Sequence, residues 1–158
     1  MRNKASQFIV AAIAGCLAFL ACTKTVPAPT PSPRMSIELS GLSNDGVRIT
    51  VDNTGDKCYS YKFLAPVKAA DVQGLAGDNP EKEALEAWFN DNSTEVGLPC
   101  TFAGNKLYAA TAYVTAALAL AEDGSILECK YLIFRTLNPD GILDGSGSAG
   151  SLDKEGSL

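Results

Sequence analysis

The chain of 158 residues contains no histidine. That removes the commonest general base and the commonest zinc ligand, and leaves no serine or cysteine with the imidazole partner that usually activates it. A pair of carboxylates remains open to glycoside hydrolysis, but such a pair needs a cleft with substrate subsites. A single domain of about 100 residues leaves little room for one. No glycine stands in a strand-to-helix phosphate loop; the glycines fall in turns and near the C-terminal end. No apolar run is long enough to cross a bilayer, since the longest, Phe8 to Ala21, stops well short of about 20 residues. Basic residues are outnumbered, 13 against 18 acidic, which argues against a nucleic-acid partner. No catalytic residue, metal ligand or cofactor is expected.

What is present starts with Arg2 and Lys4, then the apolar run to Ala21, then Cys22 and an abrupt change to Thr23-Lys24-Thr25. A basic start followed by a short apolar core reads as a targeting segment rather than a membrane span. The arrangement resembles a bacterial lipoprotein signal peptide, which is cleaved before a cysteine that then carries the lipid. Ile13-Ala14-Gly15 before Cys16 fits the usual cleavage box better than Phe19-Leu20-Ala21 before Cys22. Cleavage at Cys16, however, would leave apolar Leu17 to Ala21 on the mature end, so residues 1–21 are expected as the signal and Cys22 as the lipid site. An ordinary secretory signal is the alternative. Loss of residues 1–21 would remove two basic residues and no acid, leaving 11 basic against 18 acidic and a net charge of −7. Residues 22–34 then form a spacer in which Pro27, Pro29, Pro31 and Pro33 alternate with small residues. Such a composition favours extended polyproline II and reaches roughly 35 Å.

Residues 35–137 read as one domain with one modest core. Met35 to Leu42 predicts an edge strand, and Val47, Ile49 and Val51 alternate with Arg48, Thr50 and Asp52 as a half-buried strand. Cys58 to Leu64 predicts a third strand with Tyr59, Tyr61 and Phe63 on one face, closed by Pro66. Asn79 as cap, Pro80 at the first position and Glu81 and Glu83 in the first turn predict a helix, with Ala84, Leu85, Trp88 and Phe89 on its apolar stripe. Asn90 to Ser93 ends it, and Leu98 to Ala103 is a short strand. Residues 138–158 are rich in Gly and Ser and are expected to be a disordered tail.

Between them, Leu107 to Thr136 predicts a hairpin turning on Glu122-Asp123-Gly124-Ser125. Its lead-in, Leu107-x-x-x-Thr111-x-Tyr113, places a tyrosine at the start of a strand, where the ring can be buried and the hydroxyl returned to backbone a few residues upstream. The strand after it is apolar on both faces, with Tyr113, Ala117 and Ala119 on one and Val114, Leu118 and Leu120 on the other, so a helix or a partner must cover the second face.

Three strands, an inserted helix, a short strand and this hairpin resemble a fibronectin-type-III-like domain. More narrowly they resemble the single domains of small lipoproteins from Bacteroidetes-type bacteria. The resemblance implies a mainly β, antiparallel two-sheet sandwich with one helix inserted between strands. Trp88 falls on the helix rather than between paired cysteines, so a true immunoglobulin domain is not expected. It also implies a lipid-anchored, non-enzymatic binding or structural module of the outer membrane, with a protein or glycan partner. Lys24 stands where many surface-exported relatives carry acids, and the periplasmic and cell-surface faces both stay open. A second reading is an accessory subunit of a larger surface assembly, such as a fimbria or a glycan-uptake complex. A third is a small hydrolase.

In a fibronectin-like order the spacer leaves from the end carrying the Asn53 to Asp56 and Glu122 to Asp123 turns. The expected partner surface is then the opposite end, at Asn44, Asn105 and Lys106, together with the helix flank at Trp88. The acidic turns read as solvated rather than as a calcium site. Tyr59, Tyr61, Phe63 and Trp88 read as core rather than as a sugar platform. Cys58 and Cys129 would flank the Tyr113 strand at nearly 10 Å, too far to bridge. Cys58 with Cys100 is the one pairing entertained, and all three are expected as thiols.

Overall fold

Alternation is cleanest at Val47, Ile49 and Val51, and all three are buried in the computed structural model, which describes residues 29–75, residues 81–140 and the backbone of residues 152–157. They lie on β2 (Gly46–Asn53), which pairs on one side with β1 (Met35–Ser40) and on the other with β5 (Cys100–Asn105). The second sheet has the order β4-β3-β6-β7-β8, from β3 (Ser60–Lys68), β4 (Thr94–Val96), β6 (Ala112–Leu120), β7 (Ile126–Arg135) and β8 (Leu152–Ser157). Every neighbouring pair is antiparallel. The fold is thus mainly β, an antiparallel two-sheet sandwich with one helix inserted between strands, and it lies within Pro31–Leu158. The signal segment and Cys22 lie outside the described residues.

The two faces of β6 organise two cores. Tyr113, Ala117 and Ala119 face the three-stranded sheet and pack with Met35, Val47, Ile49, Val51, Phe63 and Phe134. Val114, Ala116, Leu118 and Leu120 face the other way, and there α1 (Lys82–Asn92) covers them with Leu85 and Phe89, helped by Val72. The apolar second face therefore belongs to the helix. Lys62 of β3 fastens it, since its ammonium donates to the Asn90 carbonyl oxygen at 3.0 Å and to Asn90 Oδ1 at 2.8 Å. Carbonyls of a last helical turn lack intrahelical donors, and a cation there also meets the negative end of the dipole.

Several expectations are corrected. The helix starts at Lys82 with Glu81 at the cap and no side-chain capping bond, while the expected Asn79 and Pro80 lie outside the described residues. Ala84 is exposed and Trp88 half-buried, so Leu85 and Phe89 alone form the buried stripe. Pro66 does not close β3. Two residues, Ala65 and Pro66, oppose Thr115 between the Leu64↔Ala116 and Val67↔Val114 pairs, so the proline sits in a bulge where no ladder N–H is asked of it. The Leu64 carbonyl, freed there, is met by the buried Thr115 hydroxyl at 2.7 Å. Tyr59 precedes β3 and is 70% exposed, so it does not share the face of Phe63. Of the tail, residues 152–157 are not without structure, because their backbone pairs with Lys130 to Phe134 of β7. A β7 edge left bare would present a row of unpaired N–H and C=O groups, which is what makes a strand of weak propensity add there.

Candidate functional site

At one end of the sandwich, the β1–β2 turn, the loop from Lys106 to Thr111 and the residues after β7 are tied to one another. Leu107 N–H donates to the Asp45 carbonyl at 2.9 Å, and Leu137 N–H to the Ser43 carbonyl at 3.1 Å. Tyr113 is the centre of the knot. Its ring is buried and stacked on Phe134 at 5.8 Å, and its hydroxyl accepts from Tyr108 N–H at 2.8 Å. Leu107 packs on the core beside it. Thr111 N–H donates to Thr136 Oγ1 at 3.0 Å, and the Thr111 hydroxyl donates to the Ala109 carbonyl at 2.9 Å. The buried Thr136 hydroxyl donates in turn to the Tyr108 carbonyl.

This end also carries the side chains expected to meet a partner. Asn44 is half-buried, with its amide 3.5 Å from the Pro139 carbonyl, while Asn105 and Lys106 are exposed. Lys106 stands at φ 64°, in the left-handed region that lets the chain turn out of β5. Trp88, the fourth residue expected to meet a partner, belongs to the helix flank. It lies on α1, edge-on to Phe89 at 6.0 Å, on the helix-covered face of the five-stranded sheet. Two residues escaped sequence reasoning. Tyr108 is 65% exposed, and the Lys68 ammonium stands 4.2 Å from its ring centroid. Cation and ring therefore form an exposed, partly pre-ordered pair. A tyrosine inside a Leu-Tyr-Ala-Ala run gives no sign of pointing outward, and nothing local relates it to Lys68.

The opposite end holds the chain where it enters the domain. Asn53 accepts from Arg34 N–H at 2.8 Å and Gly55 N–H at 3.0 Å, and its amide donates to the Asp56 carbonyl and to the Tyr61 hydroxyl. Asp56 Oδ2 accepts from Ser32 N–H at 3.0 Å, and Glu128 Oε2 from Met35 N–H at 2.9 Å. Asp123 accepts from the backbone and the hydroxyl of Ser125, bonds that hold its carboxyl below its ordinary value. Asp123 is thus spent on its own turn, and Asp56 and Glu128 on backbone donors of residues 32 and 35. No group of three or more His, Cys, Asp or Glu gathers in metal-binding geometry among the described residues. Two depressions lie here. One of about 370 Å³ is lined by Asp52, Asn53, Lys57, Tyr61, Leu98 and Pro99, and one of about 340 Å³ by Ser32, Arg34, Thr54 and Asp56. Neither sets a nucleophile beside a base.

Cys58, Cys100 and Cys129 are free thiols. Burial raises each above its ordinary value, and Cys129, shut between β7 and the helix side, is pushed up to about 12, with Glu86 next in adding to the rise. A thiol held neutral is a small apolar filler, not a nucleophile. No helix among the described residues is long and apolar enough to cross a membrane.

Fold and ends together define a β-sandwich that is clamped at its point of entry and knit at the opposite rim. No protein-family model matches the chain, and no curated protein matches it significantly.

Proposed function

We propose that the chain is a lipid-anchored, non-enzymatic binding or structural module of a bacterial outer membrane, a small lipoprotein with a fibronectin-type-III-like domain. The observation that carries the reading is the separation of the two ends. The end of the proline-rich spacer is gripped by Asn53 and Asp56 and the first residue of β1 by Glu128, while Asn44, Asn105, Lys106 and Tyr108 are set by the knot around Tyr113 at the other end. With lipid on Cys22, the acidic turns face the membrane and the knit rim faces outward, about one domain diameter away. The rim is stiff and carries amide, cationic and aromatic groups, which suits a protein or glycan surface.

Three measurements test it. A palmitate analogue should label the mature protein, and Cys22→Ala should abolish both label and membrane retention, whereas Cys16→Ala should abolish neither. On a glycan array or with a captured stoichiometric partner, Lys106→Glu and Asn105→Trp should weaken binding, and reversing charge at Asp56 and Glu122 should leave it unchanged. The opposite pattern overturns the orientation. Turnover of glycosidic or peptide substrates by the purified chain overturns the non-enzymatic reading.

A further inference from the structure

We propose that the outer edge of β7, from Lys130 to Phe134, is a strand-acceptor site for an extended segment of another protein, one that carries β-branched residues opposite Tyr131 and Leu132. This goes beyond the anchored reading, because it names a different surface and stands whether or not Cys22 is lipidated.

The argument begins with a mismatch between the edge and its occupant. β7 reads Ile-Leu-Glu-Cys-Lys-Tyr-Leu-Ile-Phe-Arg, a strand of high β propensity, and its inner edge is paired with β6 from Ile126 to Arg135. Among the described residues its outer edge is paired from Lys130 to Phe134, and the pairing strand reads Leu-Asp-Lys-Glu-Gly-Ser, four of whose six residues are of types depleted in strands. The register makes the mismatch specific. Gly156 stands opposite Tyr131, Glu155 opposite Leu132, Lys154 opposite Ile133 and Ser157 opposite Lys130. Leu152 opposite Phe134 is the single apolar match, and the register slips beside it, between Ile133 and Phe134. Cross-strand pairs of matched residue type stabilise a sheet beyond its ladder, and by residue type this register offers the resident strand one such match.

The charges of Asp153, Lys154 and Glu155 are of the kind that keep an edge from pairing indiscriminately. A strand that offers Val or Thr where the chain offers Glu155 and Gly156 makes the same ladder and adds two matched pairs. What it competes against is the effective concentration of the resident strand, on the order of millimolar for a short tether. A partner strand therefore gains most when the resident strand is prevented from pairing.

The test uses the full chain and one defined probe. The probe is a fluorescent hexapeptide with the sequence of residues 152–157 carrying Glu155→Val and Gly156→Thr. It is titrated by anisotropy against the wild-type chain and against a full chain carrying Lys154→Pro and Gly156→Pro, whose last strand loses ladder donors. Binding to the proline chain should be at least tenfold tighter than to wild type, and the hexapeptide of natural sequence should bind several-fold more weakly than the probe. Equal affinity for the two chains, or no binding to a proline chain that still melts cooperatively, overturns the proposal. If the proline chain pairs with itself, excess probe should return it to monomer, and dimers that persist count against the site. Should that chain not fold, wild type alone decides through amide exchange. Saturating probe should speed exchange at residues 152–157 while Lys130 to Phe134 stay protected, and an unchanged pattern overturns it.

Discussion

Tyr113 does two things at once, filling core space against Phe134 and holding Tyr108 N–H with its hydroxyl. Losing the second alone leaves one donor short of a partner, so Tyr113→Phe should cost about 1 kcal/mol, while Tyr113→Ala should cost roughly 3–5 kcal/mol. Urea unfolding beside Lys106→Ala checks both, and a Tyr113→Ala loss no larger than that of Lys106→Ala removes the corner from the account. Cys129 gives the other test at this scale. Its thiol is neutral in the folded state up to about 12 and would ionise near 9.0 in the unfolded chain. A raised folded value means its contribution is complete below pH 9 and is lost as pH rises toward 12, at about 1.4 kcal/mol per pH unit. Cys129→Ala should be less stable than wild type at pH 7 through lost packing, and the gap should narrow by about 1.4 kcal/mol between pH 8 and pH 10. A gap that stays constant shows that the thiol does not titrate with unfolding.

The bulge in β3 is held by one side chain from the neighbouring strand, the Thr115 hydroxyl on the Leu64 carbonyl. Thr115→Val keeps the shape and strands that buried carbonyl, at an expected cost of roughly 1–3 kcal/mol, whereas Thr115→Ser keeps the bond and should cost less. If chemical unfolding ranks them the other way, packing rather than the bond holds the bulge. Elements with a strong period or a strong turn were legible. The alternation of β2, the acidic turn between β6 and β7, and the Leu85/Phe89 stripe each announce themselves within a few residues. The two-faced apolar pattern of β6 even demanded a cover, which α1 supplies. What escaped depends on distant residues. Thr94–Val96 is too short to show a period and is a strand because β3 offers it an edge. Leu152–Ser157 has the composition of a tail and is a strand because β7 does the same. Pro66 looks like a stop unless Thr115 is known to oppose it. At the rim, the polar loops could be read from their turn residues, but the Tyr108–Lys68 pair joins positions forty residues apart and leaves no local trace.

At the scale of the molecule, the direction in which the chain enters decides which end is free. Residues 32–34 lie along the Asn53 to Asp56 turn through four bonds, Thr54 N–H to the Arg34 carbonyl, Asp56 N–H to the Ser32 carbonyl, Arg34 N–H to Asn53 Oδ1 and Ser32 N–H to Asp56 Oδ2. Gly55 makes the fit. A Cβ at that position would come within 2.5 Å of the Ser32 carbonyl oxygen, 2.6 Å of Arg34 N and 2.7 Å of Pro33 C, all backbone atoms with no rotamer to change. Adding one methyl group there must therefore displace either the turn or the segment beneath it. The segment is the one that yields, because the turn is braced from inside by the Asn53 amide on the Tyr61 hydroxyl and by Cys58 N–H on the same hydroxyl. Gly55→Ala should speed amide exchange at Ser32, Arg34, Thr54 and Asp56 by about 10- to 100-fold, equivalent to about 1.4–2.7 kcal/mol of local opening, while the β6 and β7 amides keep their protection. In the anchored reading, the label on Cys22 survives this change and the domain loses its fixed bearing on the spacer, so rim-directed binding measured on membranes should weaken while binding by detergent-solubilised protein stays the same. Unchanged exchange at those four amides would mean that the clamp yields without loosening, and that the separation of the two ends is not set by residues 32–34.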